Sequence, residues 1–316
     1  MFGMPSRSNK FFFALVISSG FFFLFGCLTI IGTKNYRDII RTSEIKSPVS
    51  VTPGGVGPAS NAQNDPKLGC THADIKRRSS TVVLTTSNAA FLDVAENMLE
   101  SIKRTRACPN ITVIAEDERS YQHLTERMKS QPGLHVQKTE GSLAPSKSLE
   151  VGSRQYIQLV NRRPSYVLSF LEKGYNVLFL DSDTFWFQDP FSDFQGDFDI
   201  ALHNERVNQM LFCAGFAYYR STASTRNLVS QWVQMLKSTP PPTADQGILN
   251  KLIRIQIKSG LKVKTLNSSR YPDGNMYFHR KGWREENNDT VVLHLSYIKG
   301  HDGKVNILKE FGLWLL

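Results

Sequence analysis

Cysteine is scarce in this sequence, with four residues in a chain of 316. The four lie at positions 27, 70, 108 and 213, and no two are arranged as Cys-x-x-Cys. This spacing argues against a zinc site built from thiolates and against a small fold held together by many disulfides. If Cys27 lies in a membrane, the other three predict one disulfide and one free thiol, without indicating which residues pair. Cys213 is predicted to be a small buried residue on a strand.

The sequence also lacks the patterns of a nucleic-acid-binding protein or a disordered one. The net charge is +10, but the basic residues form no stripe interleaved with aromatic residues, and no nucleic-acid motif occurs. The hydrophobic fraction of 41% and the charged fraction of 21% are those of an ordinary globular protein. A modest positive excess suits small anionic substrates or anionic lipids. No nucleic-acid partner is therefore expected.

One long apolar run lies near the amino terminus, where residues 11–31 contain no charged side chain. As a helix rising ~1.5 Å per residue, this run would cross a hydrocarbon core of ~30 Å. A cleaved signal peptide is the alternative, but its apolar region usually has only ~7–15 residues and ends at a small-x-small site. We therefore predict a cytoplasmic tail at residues 1–10 and a transmembrane signal anchor at residues 11–31. A luminal stem rich in proline and glycine is predicted at residues 32–78.

The orientation of this anchor is predicted from glycosylation triplets, since basic residues flank the span almost evenly. Asn-x-Ser/Thr triplets begin at Asn110, Asn267 and Asn288. Such triplets accept glycans in the secretory lumen, which favours a luminal carboxy-terminal part. The sequence therefore predicts a single-pass type II membrane protein.

Residues 79–316 alternate short β-rich runs with helical patterns. Residues 81–86 have the pattern of a buried strand, and apolar residues from Phe91 to Ile102 recur at helical spacing. Further strands are predicted at residues 111–115, 134–138, 176–180, 199–202, 215–219, 261–266 and 291–295, and further helices at 121–128, 164–171, 227–236 and 247–257. This alternation predicts an α/β domain with a Rossmann-like mixed, mainly parallel sheet flanked by helices, which binds ligands at the carboxyl ends of its strands.

Two carboxylates follow the most apolar of these strands. The segment Val177–Asp183 reads Val-Leu-Phe-Leu-Asp-Ser-Asp. Like charges so close together beside apolar packing are unfavourable unless a cation offsets them. A divalent cation held by Asp181 and Asp183 would also bind a sugar diphosphate and stabilise its charge as it leaves. A solvated turn is the alternative without function, but the position after a buried strand favours a metal site.

Residues 174–191 resemble the Asp-x-Asp block of the nucleotide-diphospho-sugar transferase domain of glycosyltransferase family 77. That family is typified by plant cell-wall xylosyl- and arabinosyltransferases. Shorter blocks fit in order at residues 213–216, 245–250, 294–302 and 309–314, so the similarity covers roughly residues 80–316. The resemblance implies a GT-A fold, a Mn²⁺ cofactor, a UDP-sugar donor, a glycan or glycoprotein acceptor and transfer with retention. With the predicted anchor and stem, it also predicts a Golgi membrane protein whose catalytic domain is luminal.

The same resemblance assigns the metal and phosphate ligands. Asp183 matches the direct metal ligand, and Asp181 matches the residue that contacts the donor ribose and the metal shell. His294 matches the third metal ligand, and a nitrogen added to carboxylates favours Mn²⁺ over Mg²⁺. Considered alone, a histidine on an apolar strand is more often a core residue. Lys299 is expected to meet the donor phosphates, and Lys304 is the competing choice.

Further residues are assigned to the donor. Asp245 and Gln246 resemble the pair that reads the sugar hydroxyls, although Asp245 also fits a helix N-cap. Thr86 and Asn88 follow the first strand, where related enzymes hold the nucleoside.

The acceptor site and the route of retention stay open at this point. Trp186 and Phe187 either line the acceptor site or pack beside the strand end. Retention proceeds either through a carboxylate nucleophile, for which Asp245 is the first candidate, or by front-face return, in which the leaving phosphate deprotonates the acceptor.

Two other functions fit parts of the sequence. Aspartate-nucleophile phosphatases also carry Asp-x-Asp after an apolar strand, and residues 196–199, Gly-Asp-Phe-Asp, are similar to their acidic motif. Against this reading, Phe185 stands where those enzymes have threonine, and a long stretch of alternating strand and helix precedes the motif. A catalytically inactive transferase that binds glycans or a partner enzyme has the same sequence features as an active one.

Overall fold

The computed structural model describes residues 69–140, 144–206, 210–239 and 242–316. The predicted cytoplasmic tail, the predicted membrane span, Cys27 and residues 32–68 of the predicted stem lie outside the described residues. Within the described ranges, no helix is both long enough and apolar enough to cross a membrane.

The described residues contain one large sheet and one small one. The strands are β1 (Thr81–Ser87), β2 (Asn110–Ala115), β3 (Leu134–Lys138), β4 (Asn176–Leu180), β5 (Thr184–Trp186), β6 (Ile200–Arg206), β7 (Leu211–Tyr219), β8 (Val263–Leu266) and β9 (Val292–His294).

The large sheet has the strand order β3-β2-β1-β4-β7-β6-β8 in this part of the chain. Strands β3, β2, β1 and β4 are parallel to one another, and β8 is parallel to β6. Strand β7 runs antiparallel to both of its neighbours, β4 and β6. The predicted mixed, mainly parallel sheet is confirmed, and the sequence did not reveal the reversed direction of β7.

Helices cover both faces of this sheet, and others pack against the small sheet. The helices of the described residues are α1 (His72–Lys76), α2 (Leu92–Thr105), α3 (Glu118–Met128), α4 (Arg154–Val160), α5 (Arg163–Glu172), α6 (Ala223–Ser238), α7 (Asp245–Gln256), α8 (Gly274–His279), α9 (Trp283–Glu286) and α10 (Gly300–Glu310). The sequence patterns did not predict α1, which lies within the predicted stem, or α4, α8, α9 and α10.

The two cores follow from the alternation of side chains along each strand. Val82 belongs to one core, with Val167 of α5 and Trp232 of α6. The next residue, Val83, belongs to the other core, with Met98 of α2. A run of apolar residues such as β1 therefore supports helices on both sides, which is the arrangement expected of buried, mainly parallel strands.

The small sheet joins two segments that are distant in sequence. Strand β5 follows β4 after a short turn and pairs antiparallel with β9, so that Thr184 lies opposite His294. This three-residue strand was not predicted. Its pairing brings the carboxy-terminal part of the chain to the carboxyl end of β4.

The chain terminus is held against α2. The Asn97 side chain donates a hydrogen bond to the Leu313 carbonyl at 3.1 Å and accepts one from the Leu315 amide at 2.7 Å. One buried amide side chain thus fixes the last described residues to the helix beneath them.

The cysteines outside the predicted membrane span behave as expected. Cys70 and Cys108 form a disulfide, and Cys213 is a free, buried thiol on β7. The prediction of one disulfide and one free thiol is confirmed, and the pairing comes from the structure.

The acidic motif of the phosphatase hypothesis lies at the wrong edge of the sheet. Asp199 precedes β6, which runs in the same direction as β4, whereas Asp181 follows β4. The Asp199 carboxylate accepts hydrogen bonds from the Thr222 hydroxyl at 2.7 Å and the Lys262 amide at 2.9 Å. Asp199 is therefore a structural residue on the far side of the domain.

Candidate active site

The two carboxylates after β4 meet a histidine from β9. The Asp183 carbonyl accepts a hydrogen bond from the Leu295 amide at 2.9 Å, which extends the β5–β9 pairing toward the turn. One ligand atom each from Asp181, Asp183 and His294 lies within 4.8 Å of the other two. The structure thus brings together the three metal ligands that the sequence predicted.

This cluster is largely shielded from solvent. His294 Nε2 lies 3.7 Å from Asp181 Oδ2 and 3.4 Å from Asp183 Oδ1. Burial alone would lower the pKa of His294, but Cys213 and the two carboxylates raise the pKa well above its ordinary value. Two oxygens and one imidazole nitrogen that converge in this way fit a divalent cation such as Mn²⁺.

The other ring nitrogen of this histidine faces strand β7. Cys213 Sγ lies 3.6 Å from His294 Nδ1. A partner on the far nitrogen fixes the orientation of a ligating imidazole. This contact leaves Nε2 as the nitrogen that faces the two carboxylates.

One lysine enters the cluster, and it is Lys304. Its Nζ lies 2.7 Å from Asp183 Oδ2 and donates a hydrogen bond to the Leu295 carbonyl at 2.7 Å. Burial alone would raise the pKa of Asp183, but Lys304 and His294 hold this pKa well below its usual range. Lys299 is exposed at the N-cap of α10 and does not reach the cluster.

Arg163 is a site residue that the sequence analysis missed. It lies in the first turn of α5, and its guanidinium reaches Asp181 Oδ1 at 3.1 Å and Asp245 Oδ2 at 3.7 Å. Burial would lower the pKa of Arg163, but the two carboxylates raise it. The only signal in the sequence was Pro164, which marks the start of a helix at this point. Nothing in the sequence linked this arginine to the carboxylates.

Asp245 lies at the start of α7 and is buried. Its Oδ1 accepts a hydrogen bond from the Gln246 amide at 2.8 Å, and its Oδ2 accepts none from the described part of the chain. Burial raises the pKa of Asp245 to about 6, while Arg163 opposes the shift. Beside its ion pair with Arg163 at 3.7 Å, this buried oxygen keeps the capacity to accept a hydrogen bond from a ligand hydroxyl.

Gln246 ties α7 to the central strands. Its Oε1 accepts a hydrogen bond from the Ala214 amide at 3.0 Å, and its Nε2 donates to Glu205 Oε2 at 3.2 Å. The predicted pair Asp245–Gln246 therefore stands beside β7, next to the carboxylate cluster.

Gly215 on β7 leaves the space that the cluster occupies. A Cβ at this position would lie 2.3 Å from Asp181 Oδ2 and 2.9 Å from His294 Cε1. The Gly215 carbonyl also accepts a hydrogen bond from the Asp181 amide at 2.8 Å. Only glycine permits this close approach of backbone and site.

The predicted nucleoside residues lie at the same edge of the sheet but are not part of the cluster. Thr86 is half-buried on β1, which is parallel to β4. Asn88 is buried, and its amide donates hydrogen bonds to the carbonyls of Pro145 at 2.9 Å and Lys147 at 3.2 Å. Asn88 thus holds the segment at residues 145–147 beside the predicted nucleoside site.

The two aromatic residues after the motif have packing roles. Trp186 is only 1% exposed and belongs to the core that contains Val83 and Met98. Phe187 stacks on Tyr277 with ring centroids 5.6 Å apart. Of the two roles considered for Trp186 and Phe187, these contacts fit packing beside the strand end rather than lining of an acceptor site.

The fold and this cluster define a sugar-nucleotide-dependent transferase. Residues 106–308 match the family model of nucleotide-diphospho-sugar transferases, and the chain belongs to this family. It is a glycosyltransferase that uses a nucleotide-sugar donor, as the resemblance to glycosyltransferase family 77 predicted.

Similar proteins include two characterised eukaryotic transferases. The chain is 29% identical over 263 residues to UDP-D-xylose:L-fucose α-1,3-D-xylosyltransferase 3 of Arabidopsis thaliana, covering 76% of this chain and 67% of that protein. It is 29% identical over 182 residues to UDP-galactose:fucoside α-3-galactosyltransferase of Dictyostelium discoideum, covering 50% of this chain and 28% of that protein.

Among solved structures, the apo form of glycosyltransferase GlyE of Streptococcus pneumoniae superimposes with a TM-score of 0.47 at 16% identity, over 73% of this chain and 62% of that one.

Proposed function

We propose that this protein transfers a sugar from a UDP-sugar to a hydroxyl of a glycan or glycoprotein, with a divalent cation and with retention. The observation that carries the proposal is the convergence of Asp181, Asp183 and His294 at the carboxyl edge of the sheet. Ligands of open α/β sheets bind at this edge. The donors in the names of the two similar transferases, UDP-xylose and UDP-galactose, support a UDP-sugar.

Asp181, Asp183 and His294 would hold the cation, for which Mn²⁺ is the best match. When bound, the cation supplies positive charge to the diphosphate that leaves. Lys304 contributes a second positive charge on the side of Asp183, where its Nζ lies 2.7 Å from the carboxylate. We infer that Lys304 contacts the donor phosphates, in place of Lys299.

The donor sugar would be read by Asp245, Gln246 and Arg163. Asp245 Oδ2, which is ion-paired with Arg163 at 3.7 Å but accepts no hydrogen bond from the described residues, accepts a hydrogen bond from a sugar hydroxyl. Arg163 fixes the orientation of this carboxylate. An ion-paired carboxylate is a weak nucleophile, so front-face return is the better match. In that route the bond from the anomeric carbon to the phosphate oxygen breaks, the acceptor oxygen bonds to the same face, and the acceptor proton passes to the leaving phosphate.

We also propose that the described domain lies in the Golgi lumen behind a membrane anchor at residues 11–31. The disulfide between Cys70 and Cys108 supports an oxidising compartment. Asn267 and Asn288, which begin two of the predicted glycosylation triplets, are exposed. A shift in gel mobility on treatment with peptide N-glycosidase, lost in N267Q/N288Q, would support this location. Full glycosidase insensitivity and protease accessibility in sealed microsomes would contradict it.

The function is tested by assaying the full-length protein in detergent with UDP-xylose, UDP-galactose, UDP-arabinose and UDP-glucose. We expect hydrolysis of at least one donor with Mn²⁺, no hydrolysis with EDTA, and loss of hydrolysis in Asp183→Ala. Binding of UDP without turnover of any donor, with or without a glycan acceptor, would instead identify an inactive transferase. Hydrolysis that survives both EDTA and the substitution would contradict the metal site.

A further inference from the structure

The turn that follows β9 has an unusual conformation. The Ile298 amide donates a hydrogen bond to the Leu295 carbonyl at 3.3 Å, and Tyr297, at the third position of this turn, has φ +68°. This left-handed region favours glycine or asparagine, because a Cβ crowds the following carbonyl. A tyrosine here is strained, and strained residues concentrate at ligand sites.

The packing beneath the turn maintains this conformation. The Gly274 amide donates a hydrogen bond to the Ser296 carbonyl at 3.2 Å. A Cβ at position 274 would lie 2.7 Å from Ile298 Cγ1 and 2.8 Å from the Ser296 oxygen. The backbone of α8 therefore presses directly against the turn and fixes it. The Tyr297 ring itself does not hold the turn in place, since 57% of this residue is exposed.

The tyrosine hydroxyl is connected to the residues that would read the donor sugar. Partial burial and the nearby Glu205 carboxylate raise the pKa of Tyr297 to about 12, so the phenol is neutral. Glu205 Oε2 in turn accepts a hydrogen bond from Gln246 Nε2 at 3.2 Å. The sequence separates Tyr297 from the metal ligand His294 by only two residues.

An exposed aromatic ring, carried by a turn whose backbone is fixed, thus lies three residues after His294 and beside Glu205, which is bonded to Gln246. We propose that Tyr297 is the stacking platform of the acceptor subsite and covers the apolar face of a pyranose ring. The proposal rests on the proposed function and deepens it. An aromatic ring buries such a C–H face with little loss of conformational freedom, because it has only two rotatable side-chain bonds and its backbone is already fixed.

The chemistry favours an acceptor with an apolar face, such as a deoxy sugar. Both similar transferases carry L-fucose or a fucoside in the acceptor part of their names. The Glu205 carboxylate beside the ring supplies an acceptor for a sugar hydroxyl. An apolar platform with a charged oxygen at its edge is a frequent composition of small-ligand sites.

The test compares Tyr297→Ala, Tyr297→Phe and Tyr297→Asn in the full-length protein, with methyl α-L-fucopyranoside as the probe. Asparagine tolerates the left-handed backbone and thus removes the ring without adding strain. We expect the Ala and Asn variants to raise the acceptor KM about 10-fold and Phe about 2-fold or less, while the donor KM stays constant. Tyr175→Ala is the control, since Tyr175 is 39% exposed and precedes β4 at the opposite edge of the sheet.

Binding is measured in parallel by saturation-transfer NMR with the methyl glycosides of fucose, galactose and xylose, in the presence of UDP and Mn²⁺. We expect at least the fucoside to bind the wild type, and its signal to be lost in the Ala and Asn variants. No binding of any of the three to the wild type, or undiminished binding to these variants, overturns the platform. An equal rise in donor and acceptor KM would also overturn it, because it would show a structural effect. Failure of the wild type to hydrolyse any UDP-sugar would count against the proposed function, and the binding data would still decide the platform.

Discussion

The Asp181 carboxylate occupies the space in which a side chain at position 215 would begin. A Cβ on Gly215 would lie 2.3 Å from Asp181 Oδ2, closer than any non-bonded contact allows. The glycine of the Cys-Ala-Gly-Phe segment is thus required by the cluster that forms the proposed metal site, since β7 passes directly behind both Asp181 and His294.

We therefore expect Gly215→Ala to lower kcat/KM by about 100-fold or more, because a displacement near 1 Å has this effect on a preorganised site. Mn²⁺ affinity should fall as well, which isothermal titration calorimetry would show. Gly303→Ala is a matched control, since its added methyl would meet Ile298 Cγ2 at an ordinary 3.8 Å. Equal Mn²⁺ affinity in Gly215→Ala and the wild type would show that the carboxylates are not the ligands.

Substitution of Lys304 and of Lys299 should have different effects on kcat. Lys304 is 9% exposed and ion-paired with Asp183, whereas Lys299 is exposed. Lys304→Ala should reduce kcat by about 100-fold, because it removes a charge that stabilises the leaving diphosphate. Lys299→Ala should reduce kcat by less than about 5-fold, since an exposed charge is screened by solvent. Steady-state kinetics with a saturating donor would compare the two variants. A larger loss of kcat in Lys299→Ala than in Lys304→Ala would indicate that Lys299 contacts the donor phosphates.

Arg163 should affect both stability and catalysis. Its removal leaves the carboxylates of Asp181 and Asp245 without their shared partner in a largely buried site. Arg163→Met should therefore lower the free energy of unfolding by about 3 kcal/mol. Arg163→Lys keeps the charge but not the two-pronged geometry, and we expect kcat to fall while most of the stability is retained.

A double-mutant cycle with Asp245→Asn separates these effects, and urea unfolding supplies the free energies. If the two substitutions are coupled through the ion pair, Arg163→Met should be less harmful in the Asp245→Asn background. Strict additivity would mean that the 3.7 Å approach of Arg163 to Asp245 carries no energy.

The disulfide should stabilise the domain without taking part in the reaction. Cys70 and Cys108 are separated by 38 positions, and closing a loop of this size contributes about 4 kcal/mol to stability. Cys70→Ser/Cys108→Ser should lower the urea midpoint accordingly, and treatment of the wild type with dithiothreitol should reproduce the loss. Donor hydrolysis at 25 °C should remain, since Cys108 precedes β2 at the edge opposite the metal site. Loss of hydrolysis in a folded double variant would contradict this separation.

His301 predicts a pH dependence of stability. Its Nε2 lies 2.8 Å from Asp93 Oδ1 and its Nδ1 lies 2.9 Å from Asp302 Oδ1. Partial burial alone would lower the pKa of His301, but hydrogen bonds with Asp302 and Asp93 raise it above the ordinary 6.5. The favourable contribution is therefore fully present below the unfolded pKa and is lost as pH rises through the folded pKa.

The wild type should thus lose more thermal stability than Asp93→Asn between about pH 6 and about pH 9. Scanning fluorimetry at a series of pH values would measure Tm, with His301→Gln as the control that removes the titrating ring. Parallel Tm profiles for the wild type and both variants would show that the contact between α2 and α10 does not titrate in this range.

Much of this architecture could be predicted from the sequence, and the failures have physical causes. Apolar runs such as Val177–Leu180 identify buried strands, and the carboxylates that follow indicate the site. An apolar run does not indicate in which direction the strand runs. The strand at residues 215–219 was therefore predicted, but its antiparallel direction in β7 was not. Strand β5 has three residues and exists only through its pairing with β9, which no local pattern encodes.

The site was predicted where the residues follow a motif and missed where they meet only in space. Asp181 and Asp183 were predicted from their position after an apolar strand, His294 came from the resemblance, and the structure brings the three together. Arg163 lies on a separate helix and had no motif of its own. The sequence offered both Lys299 and Lys304, but it did not predict α10, whose N-cap is Lys299 and whose inward face carries Lys304.

The pairing of β5 with β9 has a consequence for how the enzyme matures. The three side chains of the proposed metal site come from segments distant in sequence, so they meet only after a long loop has closed. If this site binds Mn²⁺ as proposed, metal uptake should report on the completion of folding and lag behind the recovery of helical ellipticity.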